Sequence, residues 1–179
     1  MKTVIESLRV LLVLTVLTGF IYPVVVTAIA RVAFYQEASG SLAESEGRVV
    51  GSRLSAQKTE SPKYFWPRPS AADFGTLPSG ASNKGPTSVD LAKSIAERRE
   101  RFGKDAPGEL LTASGSGLDP HLSPGAAKYQ AGRIAAERRM PLAKVESLID
   151  RLTEGPQLGF LGEARVNVLA LNLALDAAE

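Results

Sequence analysis

The stretch VLLVLTVLTGFIYPVVVTAIA, Val10 to Ala30, runs 21 residues without a charge between Arg9 and Arg31. As an α-helix rising ~1.5 Å per residue it spans about 31 Å, close to the roughly 30 Å hydrocarbon core of a bilayer. Pro23 would break most helices. In a membrane span it more often makes a kink, because the freed carbonyl is satisfied locally. A cleaved signal peptide is the competing reading, with Lys2 and Arg9 in its basic region and Ala28-Ile29-Ala30 as the cleavage site. The apolar run exceeds the ~7–15 residues usual for such a peptide, which favours an uncleaved anchor. Lys2 and Arg9 precede the span, whereas Glu37, Glu44 and Glu46 follow Arg31 before the next basic residue, Arg48. The positive-inside rule then places residues 1–9 in the cytoplasm and the rest of the chain on the exoplasmic side. No second apolar run is long enough to return it.

Residues 31–47 read as a linker, or as a helix fraying away from the membrane, and 48–179 as one exoplasmic domain. RVVGSRLSAQ alternates weakly, as a strand would. SPKYFWPRPSAADFGTLPSGASNKGP, Ser61 to Pro86, combines Tyr64, Phe65, Trp66 and Phe74 with five prolines. That is too aromatic for disorder and too proline-rich for a regular element, so an ordered loop is expected. TSVDLAKSIAERRERFG predicts a helix capped by Thr87 or Ser88 and ended by Gly103. Its run Glu97–Arg101 is expected to face water. GELLTAS suggests a short strand. Ser123-Pro124 opens a helix through Arg139, with Ala127, Ala131 and Ala135 allowing close packing. Pro141 opens another, with a stripe at Leu142, Val145, Ile149 and Leu152. GPQLGFLGE reads as a turn. ARVNVLALNLALDAAE nearly alternates, yet its Leu and Ala content favours a helix from about Val168, capped by Asn167. The fold class is therefore α+β: one transmembrane helix, then a domain of a few short strands and three to four helices.

The candidate chemistry is concentrated in TASGSGLDPHLSP, Thr112 to Pro124, which holds the chain's one histidine. As a serine hydrolase it would use Ser114 or Ser116 as nucleophile, His121 as base and Asp119 to orient it. The Gly-x-Ser-x-Gly elbow is absent, since Gly115 and Gly117 flank Ser116 directly. As a phosphate loop it lacks the Gly-Lys-Ser/Thr that would follow. A metal would have His121, Asp119 and perhaps Asp73, a poor ligand set. With no cysteine, thiolate zinc sites and cysteine nucleophiles are excluded. A formal net charge of +2 offers no basic stripe for nucleic acid. The simplest reading is a rigid connector, with glycines supplying positive φ, Asp119 bonding its own turn and Ser123 capping a helix.

In this order the motifs GFIYPVVVTAIA, Gly51-Ser52, YFWPRPSA (Tyr64–Ala71), SGASN (Ser79–Asn83), TASGSGLDPHLSP and GEARVNVLALNLALD (Gly162–Asp176) resemble the C subunit of the Kdp-type potassium-transporting ATPase, the KdpC family. The resemblance covers nearly the whole chain. Ala81 stands where the family often has glycine, and Ala164 where it often has proline.

That resemblance implies an accessory, non-catalytic subunit of an ATP-driven potassium importer in a bacterial inner membrane. A channel-like partner would bind and pass the potassium ion, and a P-type partner would hydrolyse ATP. The subunit would stabilise the assembly and act as a catalytic chaperone that raises the pump's ATP affinity. It would itself hold no cofactor, and a phosphorylatable Asp-Lys-Thr-Gly is absent. Tyr64, Phe65, Trp66, Arg68, Asp119 and His121 are the residues expected to touch a partner, or else to hold the domain together. Rival readings are an anchored exoplasmic enzyme and a stand-alone exported binding protein.

Overall fold

A computed structural model describes residues 1–178, which divide into two units, Met1–Leu42 and the chain from Ala43 onward. In the first unit one unbroken helix runs Lys2–Ala33, long and apolar enough by length and composition to cross a membrane. It comprises α1 (Lys2–Val16), a wider turn at Leu17–Ile21, and α2 (Tyr22–Ala33). The wider turn is a π-bulge and explains how the helix survives Pro23. Proline has no N–H to give, and one extra residue in the preceding turn takes up the misfit. The expected perturbation is therefore present, as a bulge within a continuous helix. Thr18 hides its hydroxyl by donating to the Leu14 carbonyl at 2.7 Å. A single turn, α3 (Tyr35–Ala38), follows. The stretch 31–47 thus carries the end of α2, α3 and the first strand of a hairpin.

That hairpin pairs β1 (Leu42–Ser45) with β2 (Arg48–Ser52). Glu46 and Gly47 turn it with φ of 51° and 74°, the left-handed pair that a two-residue hairpin needs. The helical elements of the second unit are α4 (Val89–Phe102), α5 (Gly108–Leu111), α6 (Pro124–Arg138), α7 (Leu142–Leu152) and α8 (Val168–Asp176). Its second sheet has the order β3 (His121–Leu122), β5 (Arg165–Asn167), β4 (Thr153–Glu154), all antiparallel. Leu122 and Thr153 flank Val166 in register, which puts buried Leu122 and Val166 on the core face.

Local signals set the helix ends. The side chains of Ser88, Ser123 and Asn167 accept from the N–H groups of Leu91, Ala126 and Ala170 respectively. Each satisfies a donor that the first turn would otherwise orphan. Gly103, at φ 101°, ends α4, and Arg139, in the left-handed region, ends α6. The tail is helical from Val168, as its composition and cap indicated.

The core joins α6, α7, α8 and the sheet. Ala126, Ala127 and Ala131 are fully buried on α6, and their small side chains let neighbouring elements approach. Ile134, Val145, Ile149, Leu171 and Leu175 fill the space between helices. By contrast α4 has no fully buried residue.

One expectation fails here: GELLTAS is not a strand. Gly108–Leu111 forms a helical turn behind Pro107, and both Leu110 and Leu111 are buried. A strand would send successive side chains to opposite faces, whereas a helical turn directs this pair together into the core.

Candidate functional site

The loop from Ser61 to Ser70 crosses the head with no strand partner, yet its peptide groups are not left bare. Two side-chain amides take the place of a neighbouring strand. Asn172 of α8 accepts from Phe65 N–H at 2.8 Å and donates to Phe65 C=O at 3.1 Å. Gln130 of α6 does the same for Trp66, accepting its N–H at 3.0 Å and donating to its C=O at 3.0 Å. Both amides are buried, so they supply bonds that water cannot. An irregular, proline-interrupted segment is thereby locked onto two helices.

Arginines then cover the aromatic rings. The guanidiniums of Arg101 and Arg133 lie 4.0 and 3.8 Å from the Trp66 ring centroid, and Phe102 meets that ring edge-on at 5.4 Å. Trp66 Nε1 donates to the Ser61 carbonyl at 2.9 Å. Arg133 also donates to the carbonyls of Pro62 and Tyr64 and to Gln130 Oε1. Burial, with the nearby Arg101 charge adding to it, lowers the Arg133 guanidinium to about 10, so it stays charged at neutral pH. Arg138 sits over Tyr64, bonds the Lys63 carbonyl at 2.7 Å and pairs with Asp176 at 2.6 Å. Tyr64 Oη donates to the same Asp176 at 3.1 Å. Burial first, and that carboxylate second, raise the Tyr64 phenol.

The charge run Glu97–Arg101 is therefore only partly the solvated face that its composition predicts. Arg98 donates to the Leu111 carbonyl at 2.7 Å, and its burial lowers its pKa. Arg98 and Arg101 instead fasten α4 to the head.

The Thr112–Pro124 stretch is the connector that the sequence suggested. Ser114 N–H donates to the Pro69 carbonyl at 2.9 Å, and Ser79 Oγ donates to the Ser116 carbonyl at 2.5 Å. Gly117, at φ 73°, leaves no room for a side chain: a Cβ there would lie 2.9 Å from the Gly80 carbonyl oxygen. Gly115 is not in the left-handed region, so only one of the two glycines is needed for that reason. Asp119 accepts from His121 N–H at 3.0 Å and pairs with Arg68 at 3.1 Å. Ser123 also donates to Glu109.

As a catalytic centre these groups are poorly placed. Ser114 is 1% exposed, so its hydroxyl cannot reach a substrate. His121 Nδ1 is 3.9 Å from Asp119 Oδ1, too long for a hydrogen bond. Among the described residues no three His, Asp or Glu side chains converge as a metal site. The cleft beside Trp66, lined by Lys58, Ser70, Phe74, Arg98 and Arg101, holds about 180 Å³, below the roughly 300–1,000 Å³ of small-molecule pockets. A depression of about 690 Å³ along α4 is more open, and one of about 380 Å³ lies between α4 and the loops that carry Ser70 and Lys84.

Of the six residues expected at a partner surface, Phe65 is fully buried and belongs to the core, a correction. Tyr64, Trp66, Arg68, Asp119 and His121 are half-buried and engaged within the head. Sequence reasoning missed Gln130, Asn172, Arg101 and Arg133. The available signal was a lone amide on the alanine face of α6, Gln130, and another inside the leucine-rich α8, Asn172.

The sequence between residues 4 and 177 matches the family described as K+-transporting ATPase, c chain. The chain belongs to the KdpC family. It is 50% identical to the potassium-transporting ATPase KdpC subunit of Methylococcus capsulatus, covering 96% of this chain and 95% of that one. It is 51% identical to the KdpC subunit of Cereibacter sphaeroides over the same shares, and 50% identical to that of Geobacter sulfurreducens over 98% of each chain. The match therefore takes in the apolar helix, the aromatic loop and both buried amides. As a KdpC chain, this protein is a subunit of a potassium-transporting ATPase complex.

Proposed function

We propose that this chain is an accessory, non-catalytic subunit of an ATP-driven potassium importer, held in the inner membrane by the Lys2–Ala33 helix with its head on the exoplasmic side. The observation that carries the reading is the KdpC match from residue 4 to 177, which takes in both the apolar helix and the head. Partner subunits supply the ion path and the ATP chemistry. The head stabilises the assembly. Any increase it causes in the pump's ATP affinity is exerted indirectly, because the head would face away from cytoplasmic nucleotide. Lys2 and Arg9 before the span, against Arg31 alone between the span and Arg48, support that orientation.

One preparation tests both parts. A C-terminally tagged full chain, extracted in mild detergent, is expected to bring with it two larger membrane proteins. In intact spheroplasts an added protease is expected to remove the tag. Isolation of the chain alone would overturn the subunit reading, and a protected tag would overturn the orientation.

A further inference from the structure

Between β4 and β5 the chain makes a short projecting turn whose tip is apolar. Leu158 is 83% exposed, Phe160 75% and Leu161 49%. Contiguous large apolar side chains at such exposure mark a contact surface more often than chance. The turn is also prebuilt. Gln157 and Leu161 exchange both backbone bonds at 2.9 Å, Gly159 N–H bonds the Pro156 carbonyl at 3.1 Å, and Phe160 N–H bonds Gln157 C=O at 3.2 Å. Leu158 adopts φ 54°, which a leucine takes only at a cost, and Gly159 and Gly162 follow it at 83° and 81°. No buried contact of the tip rewards that conformation.

We infer that the Leu158–Leu161 turn is a docking knob that seats in an apolar, basic-rimmed pocket on another protein subunit of the complex; this rests on the subunit reading above. Three features choose this occupant. Residues 155–163 carry one ionisable side chain, Glu163, and no Lys or Arg, while Arg165 at the base is paired to Glu154 at 3.1 Å. A single carboxylate at the foot of an otherwise uncharged loop suits a cationic pocket rim on a protein. Three side chains are too small a patch to hold two free copies of this chain together by themselves, since stable interfaces bury roughly 1,200–2,000 Å², whereas in an assembly held by other contacts the patch need only add to them. A rigid aromatic and aliphatic tip loses little freedom on insertion, which is how a few residues dominate an interface.

The test uses the full chain in native membranes with its partners. A photoreactive benzoylphenylalanine in place of Phe160 is expected to crosslink to a protein subunit. Crosslinks to lipid alone, or to a second copy of the chain, would overturn the inference. In parallel, Leu158→Ser with Phe160→Ser is expected to reduce co-purified partner about tenfold or more. Glu163→Lys, an exposed change that leaves the fold intact, is expected to reduce it several-fold, with Glu163→Gln milder. Wild-type recovery of partner by both the double variant and Glu163→Lys would defeat the knob alone. A wild-type chain that recovers no protein would defeat the subunit reading, and the knob with it.

Discussion

Asn172→Ala is expected to destabilise the head by about 2–4 kcal/mol, because it strips Phe65 of both its backbone partners at once. Phe65 is fully buried, so water does not replace the amide without opening the core. The donor and acceptor each lose about 1–3 kcal/mol when left unsatisfied. For a chain of this size the melting temperature should fall by roughly 4–16 °C, read by circular dichroism of the detergent-solubilised chain. Asn172→Asp should be no milder. It keeps an acceptor for Phe65 N–H but turns a carboxylate toward the Phe65 carbonyl. A loss below about 1 kcal/mol for the alanine variant would mean that the loop does not depend on this amide.

Arg133→Ala is expected to have the second largest effect, about 2–3 kcal/mol, through a different route. It removes one guanidinium from the face of Trp66, together with bonds to the Pro62 and Tyr64 carbonyls and to Gln130. Trp66 is the only tryptophan, so its fluorescence reports the change without interference. Emission should shift to the red, and acrylamide quenching should rise. Arg133→Lys should recover little. A single ammonium cannot lie flat on the indole and reach three acceptors in different directions. Full recovery by lysine would show that charge alone, rather than the planar fork, holds the loop.

These two residues show where sequence was informative and where it was not. Helix ends were legible because caps are local: Ser88, Ser123 and Asn167 each act within three residues of themselves. The long apolar helix was legible because its constraint is length without charge. The two-residue strands β3 and β4 were not: each is too short to show an alternating pattern, and β3 finds β5 more than forty residues away. The loop clamp was hidden for the same reason. Asn172 lies 107 positions from Phe65, and Gln130 lies 64 from Trp66. Arg98 and Arg101 looked solvated because a run of alternating charge usually is. What changed their role was an aromatic ring and a bare carbonyl brought to α4 by other segments. Phe65 was read as a contact residue because it stands between Tyr64 and Trp66, yet it alone of the three points fully inward.

The subunit account has one central demand: the head must support transport without performing chemistry. His121 is the one imidazole in the chain, so either nucleophile that the connector offers, Ser114 or Ser116, would depend on it as base. The decisive measurement is potassium-stimulated ATP hydrolysis by the purified complex carrying Ser114→Ala and His121→Ala together. The account predicts a rate within about twofold of wild type once equal incorporation of the chain is verified, whereas loss of a working acid or base costs about 10²–10⁴-fold. A fall of that size with the chain fully incorporated would contradict it.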